Sequence, residues 1–241
     1  MKNKNEQKFP LWGLGGYIPN FITSLNLFAG CIAIYYGFRG NYELVLLFVL
    51  LAAVFDFADG LAARLLHAYS PMGKELDSLA DVVSFGVAPG VLVLSVLTQS
   101  ELPYWVAFAG FIIPVFSALR LAKFNIDERQ TSSFIGLPTP ANALFWVGLG
   151  YSFSDELIAN SWYVLAFTVI FSGLLVSELP MFSLKFKSLK WKDNQIQYIF
   201  LLVSILLIAF LGIKALALII AWYILFSVIL YFIKQKKNSN V

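Results

Sequence analysis

From about residue 17 onward, long apolar runs alternate with short polar turns, and most of the runs are long enough for a helix to cross a bilayer. A helix of about 20 apolar residues spans the roughly 30 Å hydrocarbon core. By that measure the chain offers about eight spans, near 17–38, 42–66, 75–98, 103–124, 138–153, 158–179, 196–213 and 215–234. The first ten residues, MKNKNEQKFP, are polar and lead straight into a span-length segment with no small-residue cleavage site, so the first helix is expected to stay. The pattern predicts an all-α integral membrane protein, a bundle of about eight transmembrane helices forming one domain over 1–241. Within it, 183–241 is expected to form a peripheral basic loop and the last two helices.

Composition agrees with that setting. Hydrophobic residues make up 59% of the chain and charged ones 13%, with mean hydropathy +0.77, which excludes an ordinary soluble domain. Lysine and arginine then orient the helices, because cytoplasmic loops carry the positive excess. Threading eight spans with the N-terminus inside leaves only Arg39 and Lys214 outside, while the opposite loops carry Glu101, Asp155 and Glu156. The net charge of +3 therefore belongs to loops facing anionic head groups, and nothing points to nucleic acid. The stretch SLKFKSLKWK, with Phe186 and Trp191 among its lysines, reads either as an interfacial segment on the inner leaflet or as an ordinary basic loop. Cys31, the single cysteine, excludes an intrachain disulfide and reads as a small apolar packing residue. His67, the single histidine, falls in the polar turn after the second run and is expected to be solvated.

The exception to the apolar pattern is the segment DFADGLAARLLHAYSPMGKELDSLAD, Asp56 to Asp81. Asp56 and Asp59 are three residues apart and Asp77 and Asp81 four apart, so a helix puts each pair on one face. Gly60, Ala63 and Arg64 continue the first face, and Gly73 lies one turn before Asp77 on the second. Carboxylates at membrane depth cost several kcal/mol unless they face a cavity, pair or bind ions. Four of them with no nearby histidine or cysteine suit hard divalent cations, Mg²⁺ or Mn²⁺. Two such ions, about 3.5–4 Å apart, would neutralise a diphosphate. Two other readings fit carboxylates in a membrane: a structural cluster paired with Arg64 and Lys74, and a cation-coupled transporter. Two bases do not balance four acids, and no matching halves appear in the sequence.

The spacing Asp56, Asp59-Gly60, Ala63-Arg64, Gly73, Asp77, Asp81 resembles the motif of the CDP-alcohol phosphotransferase family at every defined position. The resemblance implies a helical membrane bundle that commonly dimerises, in which an alcohol hydroxyl displaces CMP from a CDP-linked lipid. It implies that Asp56, Asp59 and Asp77 ligate a pair of divalent metals, and that Asp81 completes the second site and acts as general base. It also implies that Gly60 and Ala63 leave room for cytidine and that Arg64 and Ser70 contact the nucleotide phosphates. In the run PNFITSLN, Asn20 and Thr23 are either further contacts to the CDP moiety or helix caps.

Three further blocks, ELDSLADVVSFGVAPG, RLAKFN and FIGLPTPANA, together with NLFAGCIAI, resemble the integral-membrane phosphatidylserine synthases within that family. This implies CDP-diacylglycerol and L-serine as substrates, with glycerol 3-phosphate or an inositol phosphate as alternative acceptors. Arg120 and Lys123 either hold the serine carboxylate or the lipid phosphate or serve, Lys123 above all, as a positive anchor at the helix end. Position 123 departs from the synthase pattern, which has arginine there, and lysine does not make the same bidentate contact.

Overall fold

The computed structural model describes residues 14–127, 134–184 and 190–238. Lys2, Lys4, Lys8, Arg129, Lys185, Phe186 and Lys187, all part of the sequence reading above, lie outside those residues, as do the side chains of Lys192, Lys234 and Lys237. Helices dominate: α1 (Leu14–Phe38), α2 (Tyr42–Leu65), α3 (Pro71–Asp81), α4 (Ala88–Thr98), α5 (Ile112–Ile126), α6 (Thr139–Ala159), α7 (Ser161–Val176), α8 (Gln195–Leu211) and α9 (Ala215–Asn238). A π-helical segment, Val82–Val87, joins α3 to α4, and a 3₁₀ stretch, Tyr104–Phe111, leads into α5.

Among the described residues, five helical stretches are long and apolar enough to cross a membrane: Tyr17–Phe38, Tyr42–Leu65, Pro71–Thr98, Tyr104–Ile126 and Gln195–Ile233. The protein is thus a multi-pass, all-helical membrane protein. The expected runs at 138–153 and 158–179 correspond to α6, which kinks at Phe153, and to the shorter apolar α7. The last two expected runs fall within one 39-residue apolar stretch that turns at Gly212, where φ is +58°. One small exception to the all-helical expectation is a two-residue antiparallel ladder, Phe134–Ile135 with Pro180–Met181, which ties the loop before α6 to the loop after α7.

Local signals explain the stops and starts around the acidic segment. Asn41 caps α2, its side chain accepting from the Leu44 N–H at 3.1 Å. At the other end, the Ala68 N–H bonds the Ala63 carbonyl at 2.9 Å and the His67 N–H bonds the Arg64 carbonyl at 3.3 Å. This is the Schellman arrangement, which requires a left-handed residue after the cap, and His67 takes that role with φ 49°. The lone histidine is therefore the exposed stop of α2. Ser70 caps α3 by accepting from the Gly73 N–H at 3.0 Å, and Pro71 opens that helix with the φ it prefers.

The core is built around the Pro71–Thr98 rod, the most buried of the five stretches, with Phe85, Ala88, Leu92 and Val93 enclosed. Small residues let its neighbours approach, as helices in membranes require. A Cβ at Gly30 of α1 would sit 2.3 Å from Ser84 Oγ, and one at Gly90 would sit 2.9 Å from the Gly110 carbonyl oxygen. Cys31, in contrast, is exposed on α1, so it is not the packing residue that the sequence suggested: its neighbours Gly30 and Ala33 occupy the inward stripe. Of the region expected to be peripheral, α8 is mostly exposed, whereas α9 packs on α6, with Ala217 against Gly148. Trp191 stacks on Tyr198 with ring centroids 5.3 Å apart, anchoring the turn before α8.

Candidate active site

The C-terminal half of α2 and the helix α3 both pack against α1, with the short turn 66–70 between them. Ligand oxygens of Asp56, Asp59 and Asp77 all lie within 4.8 Å of one another. The spacing of three on α2 and the packing of both α2 and α3 on α1 thus bring together three of the four aspartates picked out in the sequence. Asp81, one turn beyond Asp77 and only 7% exposed, is outside that group but lies close enough to Asp56 and Asp77 for direct electrostatic interaction.

Helix α1 supplies the supports. Thr23 donates its hydroxyl to Asp59 Oδ2 at 2.6 Å, and Asn26 donates its amide to Asp81 Oδ1 at 3.3 Å. Ser84, in the π-helical segment just after Asp81, donates to the Asn26 carbonyl at 3.0 Å. Thr23 is therefore no helix cap: it sits well inside α1 and orients a carboxylate. Asn26 escaped the sequence reading although it continues the stripe of Asn20 and Thr23 at intervals of three, which is the signal that could have found it.

Among the described residues no lysine or arginine forms an ion pair with any of the four aspartates; the ion pair found there joins Lys123 to Glu178 at 2.5 Å. Arg64 donates back to the Gly60 carbonyl at 3.0 Å, and Lys74 donates to the Asn125 carbonyl at 3.0 Å, bracing α3 to the end of α5. The cluster is therefore not a structural salt-bridge network. Asp77 Oδ1 is buried with no hydrogen-bond partner. Partly buried carboxylates this close, without a cation and with an orphaned oxygen, fit a bound divalent cation, which would satisfy the free oxygen and offset the mutual repulsion.

A cavity of about 490 Å³ opens beside the three carboxylates. Asp59 and Asp77 form one wall, and Asn20, Thr23, Gly60, Ala63, Ser70 and Gly73 complete much of the rest. Gly60 keeps that space open, since the nearest atom to a Cβ there would be 3.9 Å away. A Cβ at Gly73 would meet Asn20 Oδ1 at 3.0 Å, so the glycine lets α1 and α3 close on each other. The N-terminus of α3 faces the same cavity through Ser70, Pro71 and Gly73, and a helix N-terminus with free N–H groups favours anions. Arg64 does not line it; the side chain is exposed nearby.

Arg120 and Lys123 part company. Arg120 is 7% exposed and near enough to Asp81 for electrostatic interaction, with its guanidinium 4.9 Å from the Phe124 ring and 3.4 Å from Thr139 Oγ1, to which it donates. Lys123 is turned to Glu178 beyond α7. Of the two cations at the end of α5, Arg120 is thus the one near Asp81.

Comparison with known proteins agrees with this geometry. The family model for CDP-alcohol phosphatidyltransferase matches residues 16–177, which includes every residue discussed in the cavity and the acidic cluster. The chain is 40% identical over 143 residues to the CDP-diacylglycerol–serine O-phosphatidyltransferase of Bacillus subtilis, covering 59% of this chain and 80% of that one. It is 30% identical over 222 residues to the protein of the same name from Helicobacter pylori, covering 88% of this chain and 89% of that one. For the Mycobacterium leprae protein of that name the figures are 34% over 174 residues, with 68% of this chain and 57% of the relative covered. A transporter has no support in these matches. The chain belongs to the CDP-alcohol phosphatidyltransferase family of enzymes.

Proposed function

We propose that this chain transfers the phosphatidyl group of CDP-diacylglycerol to the hydroxyl of L-serine, giving phosphatidylserine and CMP. The observation that carries the reading is the cluster of Asp56, Asp59 and Asp77 beside a cavity walled by small residues and the N-terminus of α3. The names of the relatives support serine as the acceptor.

In this reading Asp56, Asp59 and Asp77, with Asp81 completing the second position, hold a pair of Mg²⁺ or Mn²⁺ ions. Bound there, such ions supply the positive charge that neutralises the diphosphate and polarises the phosphorus under attack. The chain's own groups do the rest. Gly60 and Ala63 admit the cytidine, while Ser70 and the first N–H groups of α3 receive phosphate oxygens. Arg64, exposed at the rim, swings onto the nucleotide phosphates, and Asn20 and Thr23 border the same moiety. Asp81, held by Asn26, accepts the proton of the serine hydroxyl. As that proton leaves, the hydroxyl oxygen bonds to the phosphorus carrying diacylglycerol, and the bond from that phosphorus to the oxygen of departing CMP breaks. Arg120 receives the serine carboxylate; Lys123, committed to Glu178, sets the loop beside it.

Eight crossings complete the topology: the four N-terminal apolar stretches, the kinked α6, the short α7, and α8 and α9 as two arms on either side of Gly212. The lysine and arginine distribution supports a site on the cytoplasmic face of the cytoplasmic membrane. The exposed apolar surface of such a bundle accommodates lipid and a second copy of the chain, making a homodimer.

The test is CMP release by purified protein in micelles containing CDP-diacylglycerol and serine. Release is expected with Mg²⁺ or Mn²⁺ and is expected to fall to background after chelation, returning when either ion is restored. Absence of release with any alcohol would overturn the reading.

A further inference from the structure

At the start of α6, where Thr139 meets Arg120 of α5, lies a buried side chain that the proposed reaction leaves unused. Asn142 is fully buried, and neither its amide nitrogen nor its amide oxygen has a hydrogen-bond partner among the described residues. The Arg120 Nε is likewise buried without a partner. The two belong together: Asn142 lies three residues after Thr139 on the same face of α6, and Thr139 is the residue whose hydroxyl accepts from Arg120. Leaving both halves of a buried amide unpaired costs several kcal/mol, and a group that brings both a donor and an acceptor would satisfy them.

We propose that Asn142 is a specificity-determining residue that reads the α-amino acid head of the acceptor, its carbonyl oxygen accepting from the ammonium and its N–H₂ donating to the carboxylate. The inference rests on the serine reading above. An α-amino acid presents one donor group and one acceptor group side by side, which is the complement of one side-chain amide. Arg120, with its free Nε, takes the second carboxylate oxygen as a charge-assisted bond. The serine hydroxyl, one carbon further on, is then directed back toward Asp81, which is near enough to Arg120 to interact with it electrostatically. Glycerol 3-phosphate and inositol phosphates carry no ammonium, so the Asn142 carbonyl would stay buried and unpaired with them. A site built to bond a group rejects analogues that lack it.

The experiment uses the full chain in CDP-diacylglycerol micelles, comparing wild type with Asn142→Leu, which keeps the branched outline but removes the hydrogen-bonding atoms, and Asn142→Asp, which keeps the shape but sets a charge against the serine carboxylate. Both variants are expected to raise KM for serine at least ~10-fold, with KM for CDP-diacylglycerol within about twofold of wild type. The preference of wild type for serine over ethanolamine and 3-hydroxypropanoate is expected to narrow by a similar factor in Asn142→Leu. Either variant that folds decides the matter, and CDP-diacylglycerol binding reports folding. Unchanged KM and unchanged preference, with only a lowered melting temperature, would mean that Asn142 holds a buried water or packs structurally, and would overturn the proposal. Failure of wild type to release CMP with serine would instead overturn the reading beneath it.

Discussion

Asp77→Asn is expected to reduce CMP release by ~10³-fold or more while leaving the protein folded. The substitution keeps the size of the side chain and removes one charge from a group of three carboxylates whose ligand atoms lie within 4.8 Å of one another. Because no cationic side chain among the described residues pairs with them, removing that charge relieves repulsion in the metal-free protein. The variant should therefore melt no lower than wild type without metal. Adding Mg²⁺ or Mn²⁺ separates the two: a ligand that binds only the folded state raises its stability by mass action. Wild type is expected to melt higher with metal, and Asp77→Asn is expected to gain little. A variant with wild-type turnover and a wild-type melting shift would remove Asp77 from the metal site.

Asp81→Asn is the second large effect, and its signature differs. Asp81 lies outside the three-carboxylate group and is held on α3 by the Asn26 amide. Loss of a general base typically lowers turnover by ~10²–10⁴-fold. Binding of CDP-diacylglycerol should change far less, because the cavity is walled by Asn20, Gly60, Ala63 and Gly73 and bordered by Asp59 and Asp77, none of which is altered. Equilibrium binding of the liponucleotide, measured beside kcat, distinguishes the roles. If turnover survives, another group accepts the proton; if binding collapses along with turnover, Asp81 serves chiefly as a metal ligand.

Much of this site is visible in the chain because helices make short spacings meaningful. Intervals of three and four residues place Asp56 with Asp59 and Asp77 with Asp81 on single faces, and an apolar surround makes their charges conspicuous. Gly60, Ala63 and Gly73 follow from the same local geometry, whereas Ser70 comes only from the resemblance to the family motif. What the spacing does not convey is which residues from distant helices face the cluster. Asn26 meets it only because α1 packs along the Pro71–Thr98 rod, and a buried asparagine in an apolar run looks like any other polar interruption. Lys123 and Arg120 show the limit from the other side: three residues apart at one helix end, they look equivalent in sequence, yet Glu178, more than fifty residues away, draws Lys123 out of the site. Cys31 shows it again, since one position along a helix separates an inward stripe from a lipid-facing one. The span count is less legible for a related reason. Apolar length identifies Tyr17–Phe38 or Tyr42–Leu65 readily, but the kink at Phe153, the shortness of α7 and the turn at Gly212 depend on packing and backbone geometry.

The central claim is metal-dependent transfer of a phosphatidyl group to serine, and a competition assay tests it most directly. Purified protein is given CDP-diacylglycerol, Mg²⁺ or Mn²⁺, and equal concentrations of serine, glycerol 3-phosphate and an inositol phosphate, with the lipid products identified by mass spectrometry and CMP quantified. Phosphatidylserine is expected as the product, in amounts equal to the CMP released. Phosphatidyl transfer to glycerol 3-phosphate or the inositol phosphate in place of serine would contradict the account.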